Sequence, residues 1–294
     1  MALNSPAILL AMEALFGNIK PALDVIKRLG TMDFSDQAPN YDVKPGSTIK
    51  IPVSSVDAAS EYHATNNHYR TGGDTAWAEL VAKHFLKGYD VTGVDIDKGI
   101  NAGRIKGLFS SRAGYSIAAA AIGTVAAALD GTTTSTGVKC PAIGTATIDD
   151  YVNLAHVKDW LNPATSVLAL KGTEMANIKK LFFGDSIAGS DQQLASYLGF
   201  KDAVVVPGLT TTRMCIVPDG ALGCLARVPT YVARYLEAGS ETDPDTGLSV
   251  GIVVADDQDH NRLIVNGDIW FGTVVQSCAA AASTAGIINV GTAT

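Results

Sequence analysis

Residues Ser111 to Gly131 read SRAGYSIAAAAIGTVAAALDG, eight alanines with Arg112 and Asp130 as the only charges. From Ile117 to Leu129 run thirteen uncharged residues, fewer than the roughly 20 needed to cross a bilayer, so a membrane span is not expected. With Asp97, Ile100, Ile105 and Leu108 just upstream, the pattern predicts one long helix over about residues 98–129. Leu108, Tyr115, Ile122 and Leu129 recur every seven residues, with Ala118 and Val125 between them, and mark the face expected to pack. Thr124 and the alanines leave the opposite face thin, so a second element can approach closely. Alanine holds such a rod straight at little side-chain entropy cost. Gly103, Gly107, Gly114 and Gly123 weaken it, and Gly131 is expected to stop it. The stretch is therefore expected to be a structural spine rather than a membrane anchor or a cofactor-binding helix.

Outward from the spine, residues 5–30 predict an amphipathic helix ending in a turn at Gly30, and 31–46, with Pro39 and Pro45, an extended arm. TIKIPV (Thr48–Val53) alternates as a strand should. From Ser54 to Ala76 the chain is rich in Ser, Asn and Gly and has few core-forming residues; excursions of this length are usually functional or mobile. WAELVAKHFLKGYDVTGVDI then returns to ordered, partly strand structure. After the spine, GTTTSTG marks a boundary. The following lobe predicts a helix from about Ile148 to Trp160 with Asp149 and Asp150 at its positive end. It continues with a strand in SVLALKG, a helix in TEMANIKKLFF capped by Thr173, and a strand in DAVVVPG. Residues 231–254 predict a hairpin around ETDPDTG, and VNGDIWFGTVVQSCAAAA a long apolar strand that closes the fold.

The chain has 294 residues, 47% hydrophobic and only 17% charged, against roughly 25% charged in ordinary soluble domains. Such a surface suits a protein covered by neighbouring subunits. A net charge of −7 and the lack of any Lys/Arg run argue against tight nucleic-acid binding. Cys140, Cys215, Cys224 and Cys278 lack metal-ligand spacing and are expected to be free, mostly buried thiols. The N-terminal residues carry no basic leader, and Glu13 interrupts their apolar run, so no signal peptide is expected.

Several fragments imitate active sites. Ser186 in GDSIAGS is placed like an esterase nucleophile, but nothing links it to a base such as His260. Asp245-Thr246-Gly247 matches the aspartic-protease triplet, yet occurs once, where two carboxylates must share a proton. Asp256, Asp257, Asp259 and His260 form an oxygen-rich cluster without EF-hand spacing, expected to be a solvated turn. His63 and His68 are five apart without a third ligand, and His84 and His156 are isolated, so zinc is not expected. No glycine-rich nucleotide loop and no HExxH is present. No catalytic residue, cofactor or metal is expected.

The order of elements (arm, strand, long polar excursion, strand, long helix, mixed lobe, closing strand) resembles the major capsid proteins of tailed bacteriophages with the HK97-type fold. The likeness lies in KPGSTIKIPV before the excursion, HFLKGYDVTGVDIDKG running into the spine, and GFKDAVVVPGL in the later lobe. It implies an α+β fold with an N-terminal helix or arm (1–30) and a peripheral domain (31–130) carrying an extended loop (54–76) and spine helix (98–129). An axial domain follows (131–230), and residues 231–294 return to the peripheral sheet. It implies a coat protein that assembles with copies of itself, as pentamers and hexamers, into an icosahedral shell around double-stranded DNA held without sequence-specific contacts. Scaffolding, portal and decoration proteins would be separate chains, and the protein would reside in the virion capsid after assembly in the host cytoplasm. No Lys–Asn pair matches the covalent crosslinking of one branch. Tyr62, His63, Tyr69 and Arg70 are the loop residues expected to touch a neighbour, and Trp77 and Phe85 those expected to anchor the loop base. Two other readings stay open: a non-viral compartment shell on the same fold, and a hydrolase using Ser186 or the acidic cluster near Asp257.

Overall fold

The computed structural model describes residues 6–33, 48–54, 75–92, 102–132, 134–156, 165–184, 191–228, 237–242, 249–257, 259, 262–275 and 287–292. The spine is present as helix α2, Ala102–Asp130, about 43 Å long at 1.5 Å per residue. Helix α1, Pro6–Arg28, lies against it. Gly131 ends α2 as expected, its amide donating to the Ala127 carbonyl at 3.0 Å. Gly30 turns the chain after α1 with φ +68°, a conformation that glycine adopts without strain.

The packed face of α2 includes Ala118, Val125 and Leu129 of the seven-residue stripe and departs from it at Tyr115. Tyr115 is 71% exposed and Ile122 half-buried, while Ala113, Ile117, Ala121, Val125 and Leu129 are buried. The reason is the approach of α1, which selects the small residues: a Cβ on Gly114 would lie 2.4 Å from the Leu15 carbonyl oxygen. Ser111–Asp130 is long and apolar enough to cross a membrane, which the count of thirteen uncharged residues had not suggested. Its most apolar side chains are instead turned into the protein core.

Two sheets flank the helices. The first orders β1 (Met32–Asp33), β9 (Leu222–Arg227), β12 (Arg262–Val275), β11 (Ser249–Asp257) and β10 (Glu237–Thr242), and β4 (Lys83–Thr92) also pairs with β12. Strands β4 and β9 both pair with Trp270 and Phe271 and so occupy opposite edges of β12. Alternation sorts its residues: Phe85, Ile252, Val254, Ile269, Phe271, Ala226 and Leu222 enter the core formed with α1 and α2. The hairpin expected in 231–254 is β10–β11.

The second sheet orders β5 (Thr134–Cys140), β13 (Ile288–Thr292), β8 (Met214–Val217), β6 (Val167–Leu170) and β7 (Asp202–Val205). Helices α3 (Ile148–His156), α4 (Gly172–Phe183) and α5 (Asp191–Leu198) bury Tyr151, Ile178 and Leu194 on one of its faces. Val167, Ala169, Val204, Cys215 and Val217 join the first core from the other.

The boundary expected at GTTTSTG falls where the chain leaves α2 and enters β5 of the second sheet at Thr134. Two local expectations are corrected and one element is added. Helix α4 is preceded by Lys171 at the N-cap, with no side-chain cap, so Thr173 lies inside the first turn. Helix α5 stands in a stretch to which no element was assigned. The break at 230/231 does not divide the sheets, because β9 pairs with β12 in the first and β13 with β5 and β8 in the second. Hydrogen-bonded pairing, invisible in a linear reading, overrides proximity along the chain.

Candidate functional site

The excursion that a neighbour is expected to meet starts from a defined base. Strands β2 (Thr48–Ser54) and β3 (Thr75–Val81) pair antiparallel from Thr48 opposite Val81 to Ser54 opposite Thr75. Seven such pairs carry the departure point of residues 55–74 about 20 Å along the ladder. The base is fixed where β3 meets the first sheet: Leu80 is fully buried, and a Cβ on Gly272 would lie 2.6 Å from the Leu80 Cδ2 and 2.7 Å from the Val81 carbonyl oxygen. Phe85 packs against the first core as an anchor. Trp77 stands opposite Pro52 in the ladder, with its side chain outside the described residues, as are Tyr62, His63, Tyr69 and Arg70.

Beside this base, His84 Nε2 contacts the Asp268 carboxylate, and the His84 and Trp270 rings meet edge-on at a centroid distance of 6.0 Å. Burial raises the Asp268 carboxyl above its ordinary range, and the hydrogen bond to His84 works against that rise. These cross-strand contacts hold β4 on β12, in line with the pairing of Trp270 with His84.

Three polar ties fix the two sheets relative to the helices. Asp130, at the end of the spine, accepts from the Thr210 amide and hydroxyl and the Thr212 amide, each at 2.8 Å. Burial opposes ionisation there, but these donors hold the carboxyl well below the usual range. Arg28, at the end of α1, grips Asp202 of β7 with two bonds of 2.7 and 2.9 Å and donates to the Ala203 carbonyl at 3.1 Å. Within the second lobe, Glu174 is fully buried, bonded to Arg213 and, at 3.0 Å, to the Tyr151 hydroxyl. Arg213 also donates to the Cys140 and Pro141 carbonyls and to Thr292. Sequence reasoning missed all of these ties, because the partners are 23 to 175 residues apart and lack any motif.

Most residues of the imitated active sites fall outside the described part of the chain. Ser186, Asp245, Gly247, His260, His63, His68 and Cys278 lie outside the described residues. Asp256 and Asp257 end β11 opposite Leu263 and Arg262, and Asp259 is exposed. Among the described residues no three His, Cys, Asp or Glu side chains form a metal-holding group. Cys140, Cys215 and Cys224 are buried thiols in no disulfide, as expected. Burial pushes the Cys140 thiol up to about 11 and the Cys215 thiol up to about 12, leaving little thiolate for chemistry.

No protein-family model and no curated protein matches the sequence. Solved structures do. The capsid of a native GTA particle is 11% identical, and the match covers 93% of this chain and 91% of that one at a TM-score of 0.58. A chain from Mycobacterium phage Che8 is 13% identical over 90% and 89%, at a TM-score of 0.54. The virus-like particle from Pyrococcus furiosus is 10% identical over 95% and 96%, at a TM-score of 0.52. The fold is of the HK97 type. Within that fold, α2 is the long spine helix that the order of elements implied.

Proposed function

We propose that this chain is a major capsid protein, which tiles with copies of itself into an icosahedral shell around double-stranded DNA. The observation that carries the reading is the match of fold over nine-tenths of the chain to the GTA capsid, with nearly all of that capsid chain covered in return. The role is structural rather than catalytic. The helix-backed sheet with the β2–β3 ladder serves as the peripheral domain, and the five-stranded sheet with α3–α5 as the axial domain around the symmetry centres. The excursion at 54–76 reaches a neighbouring subunit, with Tyr62, His63, Tyr69 and Arg70 among its contacts. Scaffolding, portal and decoration proteins join as separate chains, and the shell assembles in the host cytoplasm before residing in the virion.

Electron microscopy of the purified chain tests this: closed, uniform particles are expected, with nuclease-protected DNA in particles from the native source. Protein cargo without DNA would point to a compartment shell instead. Replacing residues 55–74 by a two-residue turn keeps the β2–β3 ladder and is expected to give a folded subunit, by circular dichroism, that no longer closes shells. Normal shells from that variant would remove the loop's assigned role, and a monomer turning over a substrate would remove the shell reading itself.

A further inference from the structure

Besides the two-residue β1, the first sheet has two outer strands, β4 on one side and β10 on the other, and among the described residues no strand covers the outer edge of either of these two. An uncovered edge offers unpaired amides and carbonyls to another chain. On β4 the edge also carries exposed Lys83 and Lys87 and a Leu86 that is 54% exposed. Strand β10 has the sequence EAGSET, with Glu237 and Glu241. The basic pair and the acidic pair have the same spacing of four residues.

The ladders decide how the two edges can meet. Strand β12 runs antiparallel to β4 and to β11, and β11 antiparallel to β10, so β4 and β10 run in opposite directions. Residues directly opposite in an antiparallel ladder share a face. Phe85 is paired with Ile269 and Lys87 with Gly267, Gly267 with Ile252, and Ile252 with Gly239. Odd-numbered positions of β4 and of β10 therefore belong to one face of the sheet. Inward and outward backbone groups also alternate along each strand, and following that alternation through the same registers gives the two outer edges the same parity. A second copy can thus continue the sheet only with odd positions opposite odd positions.

We infer that β4 of one subunit pairs antiparallel with β10 of a second copy, with Phe85 opposite Gly239. Of the allowed registers, this one places Lys83 opposite Glu241 and Lys87 opposite Glu237 together. It sets the whole of β10 against residues 82–87, covers Leu86 with Ala238, and gives Phe85 a glycine partner that leaves room for its ring. The contact joins two different edges and is therefore heterologous, the kind that closes rings. The inference rests on the shell reading and adds to it a specific interface outside the extended loop.

Two measurements test it, on the full chain. Lys83→Glu with Lys87→Glu puts like charges opposite each other, and both positions are exposed, so the variant is expected to keep its circular dichroism spectrum. The protein concentration needed for particles, followed by light scattering, is expected to rise at least about tenfold. Adding Glu237→Lys and Glu241→Lys in the same chain is expected to restore it. Separately, Leu86→Cys with Ala238→Cys is expected to give, on oxidation, a ladder of covalent multimers. Leu86→Cys with Ser240→Cys, two residues out of register, is expected to give none beyond the level of the unmodified chain. Wild-type particles together with an unchanged threshold in the lysine variant, or an absent ladder from the in-register pair, overturn the edge pairing and leave the shell reading standing. A wild-type chain that forms no particles overturns both.

Discussion

Where α1 crosses α2, the Leu15 carbonyl meets Gly114, and where both helices cross the first sheet, Gly267 faces Leu15 and Ile117 with no room for a Cβ. The five-stranded sheet is built otherwise: its core contains Glu174, Tyr151 and the Arg213 guanidinium, joined in a chain of directional hydrogen bonds. The first region is specified by shape at backbone contact, the second by polar partners that must all be present. Close apolar contact fails gradually as atoms are added or removed. A buried charge that loses its partner fails abruptly.

The sharpest break of this contrast is expected at Arg213. Arg213→Met leaves Glu174 buried with only the Tyr151 hydroxyl, at an expected cost of about 3–5 kcal/mol in chemical denaturation. Replacing Glu174 by Met as well is expected to recover much of that loss, since the uncompensated carboxylate is gone. Recovery that fails would mean the network matters by its shape, as the first region does.

A smaller effect is expected at Gly114. Gly114→Val forces α1 away from the spine, at an expected cost of about 1–3 kcal/mol, with no dependence on pH between 4 and 8 beyond that of the wild type. A loss above that of Arg213→Met would reverse the contrast.

The smallest effect belongs to the joint between the regions. Asp130→Asn is expected to cost about 1–2 kcal/mol at pH 7. The Asp130 carboxyl is held below its ordinary value in the folded state, so its stabilisation is present above about pH 4 and is lost as the pH falls towards the depressed value. The gap between wild type and variant in urea titrations is thus expected to narrow in acid. A constant gap would show that the charge does not hold the Thr210–Thr212 segment.

Elements built from local sequence were legible: the spine, α1, the β2 and β3 strands around the excursion and the β10–β11 hairpin all follow from periodicity and turn residues. The packed face of the spine was legible only in part. A repeat of large residues selected Tyr115, while α1 requires the small ones, and which neighbour arrives is decided by tertiary contact. Helix α5, DQQLASYL, has too few apolar residues to declare itself, although Leu194 and Leu198 are fully buried. The root of the loop was legible as two strands, but its lock was not: Leu80 and Gly272 come together only when β3 reaches the first sheet. The outer edges β4 and β10 were equally hidden, since no single strand reveals that it lacks a neighbour.

Strand β13 inserts between β5 and β8, the former paired parallel and the latter antiparallel. During translation it emerges after every other strand of its sheet. Until residues 288–292 have left the ribosome, β5 and β8 lack the strand that joins them. A nascent chain therefore cannot complete that sheet until synthesis has passed that point.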